Sequence, residues 1–269
     1  MRNMNQQPLK SQDVIDYIFE IAPNPSTAWE NVFLFGAPDT PVSGIGVSWW
    51  ITLDVLEDMA ARGLTLGISH ERIIHEVPER FTWGPMVKTE EVLVNRRLKA
   101  ITAERGIAIH QMHSNIDKAS WGMPHALFAR LGWEEENIDW SRGVPVVTRP
   151  PVKLKALIAE VKEKLALPFV RYDGDLERLV SRIAVPWGGL CQGYGGPLCP
   201  SPLGFDVVMG GDVIDGVVRL CRAHGWAVID AMHHALERDA MRLLADKLRA
   251  RFPQVEVRFY ENSSPWQVL

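Results

Sequence analysis

The chain has 269 residues, 46% of them hydrophobic and 23% charged, with a net charge of −4. That is the profile of a soluble globular protein, long enough for one large domain or two modest ones. The acidic balance offers no electrostatic footprint for nucleic acid or an anionic membrane, and no apolar run reaches the ~18 residues of a membrane span.

Met1–Lys10 is polar and has no signal-peptide core, so the cytoplasm is the expected location. Ser11 opens a predicted amphipathic helix that runs to Ile21 and is broken by Ala22-Pro23-Asn24-Pro25-Ser26. Val42–Trp50 reads as a strand, Thr52–Arg62 as a helix closed by Gly63, and Leu64–Ser69 as a second strand ending at His70. This β-α-β order favours a parallel sheet. Thr89–Arg105 reads as a helix stopped by Gly106, Ile107–Met112 as a strand ending at His113, and Lys118–Leu131 as a helix interrupted by Gly122 and Pro124. Ser141–Pro151, rich in proline and valine, is the expected linker.

Val152–Leu165 reads as a strand and helix, or as a helix alone. Strands are expected at Arg182–Pro186, Phe205–Met209, Trp226–Ala231 and Val255–Tyr260, with helices at Val213–His224 and His233–Arg251. The whole predicts an α/β fold of two related domains with mixed or parallel sheets, residues 1–148 and 149–269. Cys191, Cys199 and Cys221 form no C-x-x-C pair and read as buried thiols of a reducing compartment. The ten tryptophans read as core or subunit-interface residues.

Three clusters carry chemistry: Ser69-His70-Glu71, His113-Ser114-Asn115-Ile116-Asp117, and His233-His234-Ala235-Leu236-Glu237. Each follows an apolar strand-like run. Loops at the carboxyl ends of strands in an open α/β sheet converge on one crevice, so distant residues can meet as one metal site. His233 and Glu237, four apart on a helix, share a face. His113 and Asp117 have the same spacing. Taken singly, each pair also fits a capping or surface role. His75, Glu76 and His234 are weaker candidates, expected to be structural or surface residues. Gly188-Gly189 and Gly193–Gly196 form a glycine-rich stretch that reads more simply as a turn than as a ligand cradle.

These clusters resemble the Nif-three-like dinuclear-metal family, whose bacterial members are often called GTP cyclohydrolase 1 type 2 homologs. The similarity extends from about Ala22 to Trp266: Trp29-Glu30-Asn31-Val32 for an early Trp-Asp-Asn-Val motif, His70-Glu71 for a histidine pair, and His113 to Asp117 for His-Thr-Asn-Leu-Asp. Gly204-Phe205-Asp206 followed by Gly210-Gly211-Asp212, and His233 to Glu237 as the closing His-x-x-x-Glu, complete it. The resemblance implies two divalent ions per subunit sharing Glu237, with His70 and His233 completing one and Asp117 and Glu71 the other. It also implies a homo-oligomer, a hexameric ring with inward-facing sites in the cleft at the strand carboxyl ends.

The chain departs from that pattern at Glu71, normally histidine, at aromatic Trp49-Trp50 and at bulky Trp187. Glu71, Asp117 and Glu237 would give one ion an all-oxygen protein shell, favouring manganese, iron(II) or magnesium over zinc there. The implied activity is metal-dependent hydrolysis of a carbon–nitrogen bond in a small cyclic amide or purine-like heterocycle. His113 is then the candidate catalytic residue, as a proton shuttle or hydrogen-bond partner. No P-loop or G-x-G-x-x-G phosphate cradle is present. The competing reading is a non-catalytic metal-binding scaffold or regulator, in which Glu71 has weakened the second ion.

Overall fold

A computed structural model describes residues 8–23, 30–75, 88, 92–141, 144–189 and 204–269. The chain divides into two compact units, Met1–Gly122 with Met241–Asn262, and Met123–Ala240 with Ser263–Leu269. Trp29, Glu76, Cys191, Cys199 and Gly193–Gly196 lie outside the described residues.

The first unit contains α1 (Ser11–Ile21), β1 (Asn31–Phe35), β2 (Gly44–Ser48), α2 (Leu53–Arg62), β3 (Leu66–Ser69), α3 (Leu93–Arg105), β4 (Ala108–Met112) and the short α4 (Ser114–Lys118). The strand numbered β11 (Glu256–Tyr260) also belongs to it. The sheet order is β1-β4-β3-β2-β11. β4, β3, β2 and β11 are parallel, as the β-α-β reading requires, and β1 runs antiparallel at the edge. β2, β3 and β4 are buried along their whole length, the pattern of a sheet covered on both faces. On one face Ile51, Leu56, Met59, Leu98 and Ile109 form a core under α2 and α3. Gly46 lets α2 come close, since a Cβ there would stand 2.7 Å from Met59 Sδ, and Gly67 makes room for the core side chain of Ile109 on the neighbouring strand, whose Cδ1 would lie 2.5 Å from an added Cβ. Gly63 and Gly106 close their helices in the left-handed region, as expected of C-cap glycines.

Register positions the functional residues. Ser48 pairs with Ser69, and Ser69 with Gln111, so β2, β3 and β4 end nearly level. Trp49, His70 and His113 therefore emerge along one carboxyl edge. His110 of β4 is buried, its ring edge-on to Phe33 with centroids 4.6 Å apart. Burial pushes its pKa down to about 4, partly offset by the backbone of Gln111. The unfolded state therefore takes up this proton first, near pH 6.5, and the folded state only near pH 4. Stability from neutral His110 is complete above the unfolded pKa and is lost as pH falls through this window, about 3 kcal/mol in all. His110→Gln should flatten that part of the stability–pH curve; an unchanged slope between pH 6.5 and 4 would rule this origin out.

The second unit contains α5 (Met123–Leu131), β5 (Ile138–Asp139), β6 (Val146–Lys153), α6 (Leu154–Lys164), β7 (Arg171–Asp173), β8 (Leu179–Ala184), β9 (Val207–Gly210), α7 (Asp215–Ala223) and β10 (Ala227–Asp230). Helix α8 (His233–Arg251) begins here, and its residues from Met241 belong to the first unit. The sheet order is β5-β6-β8-β9-β10-β7, parallel across β8, β9 and β10 and antiparallel towards both edges. Alternate residues of one strand serve two cores. Val207 and Met209 pack with Phe128, Leu157, Ile183 and Ile229, whereas Val208 packs with Val217, Cys221 and Val228.

The expected linker at 141–151 is corrected: β6 runs through it, paired with β8. Pro150 and Pro151 lack the ladder N–H, and the pairing slips between Thr148 and Val152, which is why the stretch reads as irregular in sequence. The helix expected over Lys118–Leu131 with interruptions at Gly122 and Pro124 is α5, which starts only at Met123, after Gly122, and takes in Pro124 in its first turn. Gly122 makes the break, since a Cβ there would stand 1.7 Å from the Ile116 carbonyl oxygen. β1, β5 and β7 are short edge strands that the sequence reading missed. Among the described residues no helix is long and apolar enough to cross a membrane.

Candidate metal centre

In the first unit, the β2 carbonyls continue the ladder past the end of β3. The His70 N–H donates to Ser48 O at 3.3 Å and the Glu71 N–H to Trp49 O at 2.9 Å. The His70 side chain is fully buried. Its Nδ1 lies 3.2 Å from Met112 O. A carbonyl only accepts, so Nδ1 carries the proton and Nε2 keeps its lone pair, the tautomer of a metal-ready histidine. That Nε2 lies 3.7 Å from Asp117 Oδ1.

The His113-Ser114-Asn115-Ile116-Asp117 segment folds as a single turn. The Ile116 and Asp117 N–H groups both donate to His113 O, at 2.9 and 3.2 Å, returning Asp117 to the His113 ring. Buried Asn115 donates to Ala22 O at 3.3 Å and buried Ile116 joins the core, so the middle of the motif is an anchor. His113 stacks on His70, ring centroids 4.2 Å apart and 12° from parallel. Its Nε2 lies 3.6 Å from Glu71 Oε1 and its Nδ1 3.2 Å from Asp117 Oδ2. Burial disfavours the imidazolium, but Asp117 and Glu71 outweigh it and push the pKa up to about 11. This pocket strongly favours a positive charge.

In the second unit, β9 ends at Gly210 and Gly211 lies against the start of α8, a Cβ there falling 2.5 Å from His233 N and Cα. Asp212 Oδ2 is 2.9 Å from His233 Nδ1, and His233 Nε2 is 2.9 Å from Glu237 Oε2. A singly protonated imidazole donates to one carboxylate only. His233 therefore lies between two carboxylates, one at each ring nitrogen; with a metal on Nε2, Asp212 would hold the Nδ1–H tautomer. Gly188, at φ 63°, leaves room there: a Cβ would stand 1.9 Å from Glu237 Oε1 and 3.0 Å from His233 Nε2.

Asp230, buried at the end of β10, fixes this corner. Its Oδ1 accepts from the Met232 N–H at 3.1 Å, and its Oδ2 from the Val213 N–H at 3.4 Å and from the Arg171 guanidinium. Met232 and Asp212, on either side of these bonds, hold left-handed φ values of 64° and 51°, which need such support in non-glycine residues. Asp230→Ala is expected to cost about 2–3 kcal/mol, mostly through the stranded backbone donors, because Arg171 itself is largely exposed. A denaturation midpoint equal to wild type would rule that role out.

The structure thus brings His70, Glu71, His113 and Asp117 together in the first unit and Asp212, His233 and Glu237 together in the second. Asp212 and Gly188 were not picked out as site residues from sequence, although Gly210-Gly211-Asp212 at a strand end was a visible signal. Of the weaker candidates, the His75 backbone is clasped by Asn95 at 3.0 and 2.9 Å, and His234 is buried. Divalent metal fits the residues on three counts. The ligand atoms of His70, Glu71 and His113 lie within 4.8 Å of one another. The buried His113 Nδ1 approaches Asp117 without the alignment of a hydrogen bond. Gly188 keeps the space beside Glu237 and His233 clear.

A Lactococcus lactis protein named GTP cyclohydrolase 1 type 2 homolog is 30% identical over 219 residues, covering 79% of this chain and 80% of its own. A Clostridium perfringens protein of the same name is 23% identical over 90% of this chain and 92% of its own. Among solved structures, Staphylococcus aureus protein SA1388 matches with a TM-score of 0.72 at 20% identity, over 98% of this chain and all 100% of that one. A Bacillus cereus protein related to NIF3 also gives a TM-score of 0.72, at 14% identity and with 98% and 100% coverage. These two show a shared fold. The family described as Duf34/NIF3 (NGG1p interacting factor 3) matches residues 9–265, and the chain belongs to it.

Proposed function

We propose that the protein is a metal-dependent hydrolase that opens a carbon–nitrogen bond of a small cyclic amide or purine-like heterocycle. The observation that carries this reading is the placement of the two imidazoles. His70 and His233 each have Nδ1 committed to an oxygen acceptor and Nε2 turned towards a carboxylate. His70, Glu71 and Asp117 are the candidate metal ligands in the first unit, and His233 and Glu237 those in the second. Bound ions of this kind polarise a substrate oxygen and supply hydroxide near neutral pH.

The chain's own residues do the rest. Met112 O and Asp212 hold the imidazoles in their tautomers, and Asp230 holds the corner from which His233 projects. Gly188 leaves the space a substrate atom needs, and Glu237 presents a buried carboxyl group beside it. The relatives' name, GTP cyclohydrolase 1 type 2 homolog, supports a purine-like substrate. Iron, manganese and zinc suit the mixed donors, with magnesium the harder alternative. The protein works in the cytoplasm as a homo-oligomer, a hexameric ring.

The test is metal-stripped protein reloaded with manganese, zinc or iron(II) and incubated with GTP and a panel of cyclic amides. Ring-opened products, heavier by one water, are followed by mass spectrometry. Metal-dependent product that disappears in Glu237→Gln is expected. Loaded, folded protein that opens no member of the panel would favour the scaffold reading.

A further inference from the structure

Resting on the ring-opening reading above, we propose that Arg171 is a substrate-binding residue that holds an oxyanion of the substrate, phosphoryl or carboxylate, while the ring lies at His233. Arg171 opens β7, and register places it at the carboxyl edge that carries the second unit's site. It pairs with Asp230, the last residue of β10, and Asp230 pairs with Gly210, the last residue of β9. The three strands therefore stand level there, with Arg171 at one end of the row and the turn to Asp212 at the other. Ligands of open α/β sheets bind outside such an edge.

The guanidinium is fixed from behind. Its Nη2 donates to buried Asp230 and to Val213 O, the latter at 3.4 Å. The same Asp230 carboxylate accepts from the Met232 N–H, one residue before His233. Val213 directly follows Asp212, whose Oδ2 is 2.9 Å from His233 Nδ1. One carboxylate thus sets the spacing between Arg171 and the His233 ring. The outer side is open: the Arg171 side chain remains 66% exposed, and among the described residues its Nε and Nη1 meet no acceptor. Neighbouring arginines are used differently. Arg222 closes Nε and Nη2 together on Asp173, and Arg219 does the same on Asp215. Arg171 is pinned through Nη2 alone and keeps three N–H donors in one fixed plane, the arrangement that suits an oxyanion. The carboxylates of Asp212, Asp230 and Glu237 would repel a substrate anion, and a guanidinium held at their rim supplies the opposite charge where that anion docks.

The experiment compares two pairs of ligands, each alike in the ring and different in charge: guanosine with GTP, and dihydrouracil with dihydroorotate. Binding to the full-length, manganese-loaded protein is measured by calorimetry, with excess magnesium to occupy the nucleotide's phosphates. In wild type the charged member of one pair should bind at least about 10-fold more tightly than its neutral partner, the scale of a hydrogen bond to a charged group. A preference for GTP identifies a phosphoryl group, and one for dihydroorotate a carboxylate. Arg171→Ala should erase that preference and leave the Kd of the neutral member unchanged. Arg171→Lys, which keeps a cation beside Asp230 and so protects the fold, should retain only part of it. Wild type that binds neutral and charged members equally, or a preference that survives both substitutions, would overturn the proposal. So would equal weakening of both members in folded Arg171→Ala, which would make Arg171 a structural ion-pair partner of Asp230. Loaded, folded wild type that binds neither ring would overturn the ring-opening reading itself.

Discussion

Glu237→Gln should lower divalent-metal affinity by more than about 100-fold, beyond the 10–100-fold cost of losing an outer-shell partner. Glu237 is buried, 3% exposed, with His233 Nε2 at 2.9 Å. A carboxylate removed from water is costly unless a cation or hydrogen bonds compensate. The amide keeps the shape and removes the charge. Metal-free Glu237→Gln is therefore expected to be at least as stable as wild type, while the stabilisation on adding metal disappears. For wild type that stabilisation is about 2.7 kcal/mol at a free metal concentration 100 times Kd. Thermal unfolding with and without manganese measures both. A variant that unfolds earlier without metal, yet gains as much from manganese as wild type, would mean Glu237 is a structural residue.

Gly188→Ala should push the Glu237 carboxylate out of its place and so abolish metal binding at the second unit's residues. Its Cβ would lie 1.9 Å from Glu237 Oε1 and 2.9 Å from Cδ, closer than any side chain tolerates. The positive φ of 63° adds a conformational cost of about 1 kcal/mol. Gly225 provides the control, since it has a φ of 70° and nothing within 4 Å of an added Cβ. Gly225→Ala should show the conformational cost alone. Gly188→Ala should show that cost together with displacement of the Glu237 carboxylate, hence lost metal binding. The comparison is made by denaturant unfolding and manganese titration of both variants. Equal stability losses with metal binding intact in each would mean that the space before Glu237 is not a ligand pocket.

What was legible in sequence was what local patterning encodes. The parallel β2-β3-β4 arrangement follows from apolar runs separated by helices with glycine stops at Gly63 and Gly106, and the carboxyl ends of those strands place His70 and His113 on one edge. Asp117 returns to His113 because a single helical turn has that spacing. What was not legible depends on contacts distant in sequence. Gly188 read as a turn, because its neighbour Glu237 is far along the chain. Asp212 read as part of a strand-end motif, because only the fold sets it against His233 Nδ1. β6 read as a linker, because Pro150-Pro151 interrupts the pairing that defines it. Edge strands as short as β5 and β7 carry too few residues for a period to show.

The measurement that tests the central claim most directly is elemental analysis of the protein purified without added metal or chelator. The account predicts close to two transition-metal ions per chain, falling in Glu237→Gln and in Glu71→Ala. Folded protein that carries no ion, and takes up none from manganese, iron(II) or zinc, would contradict it.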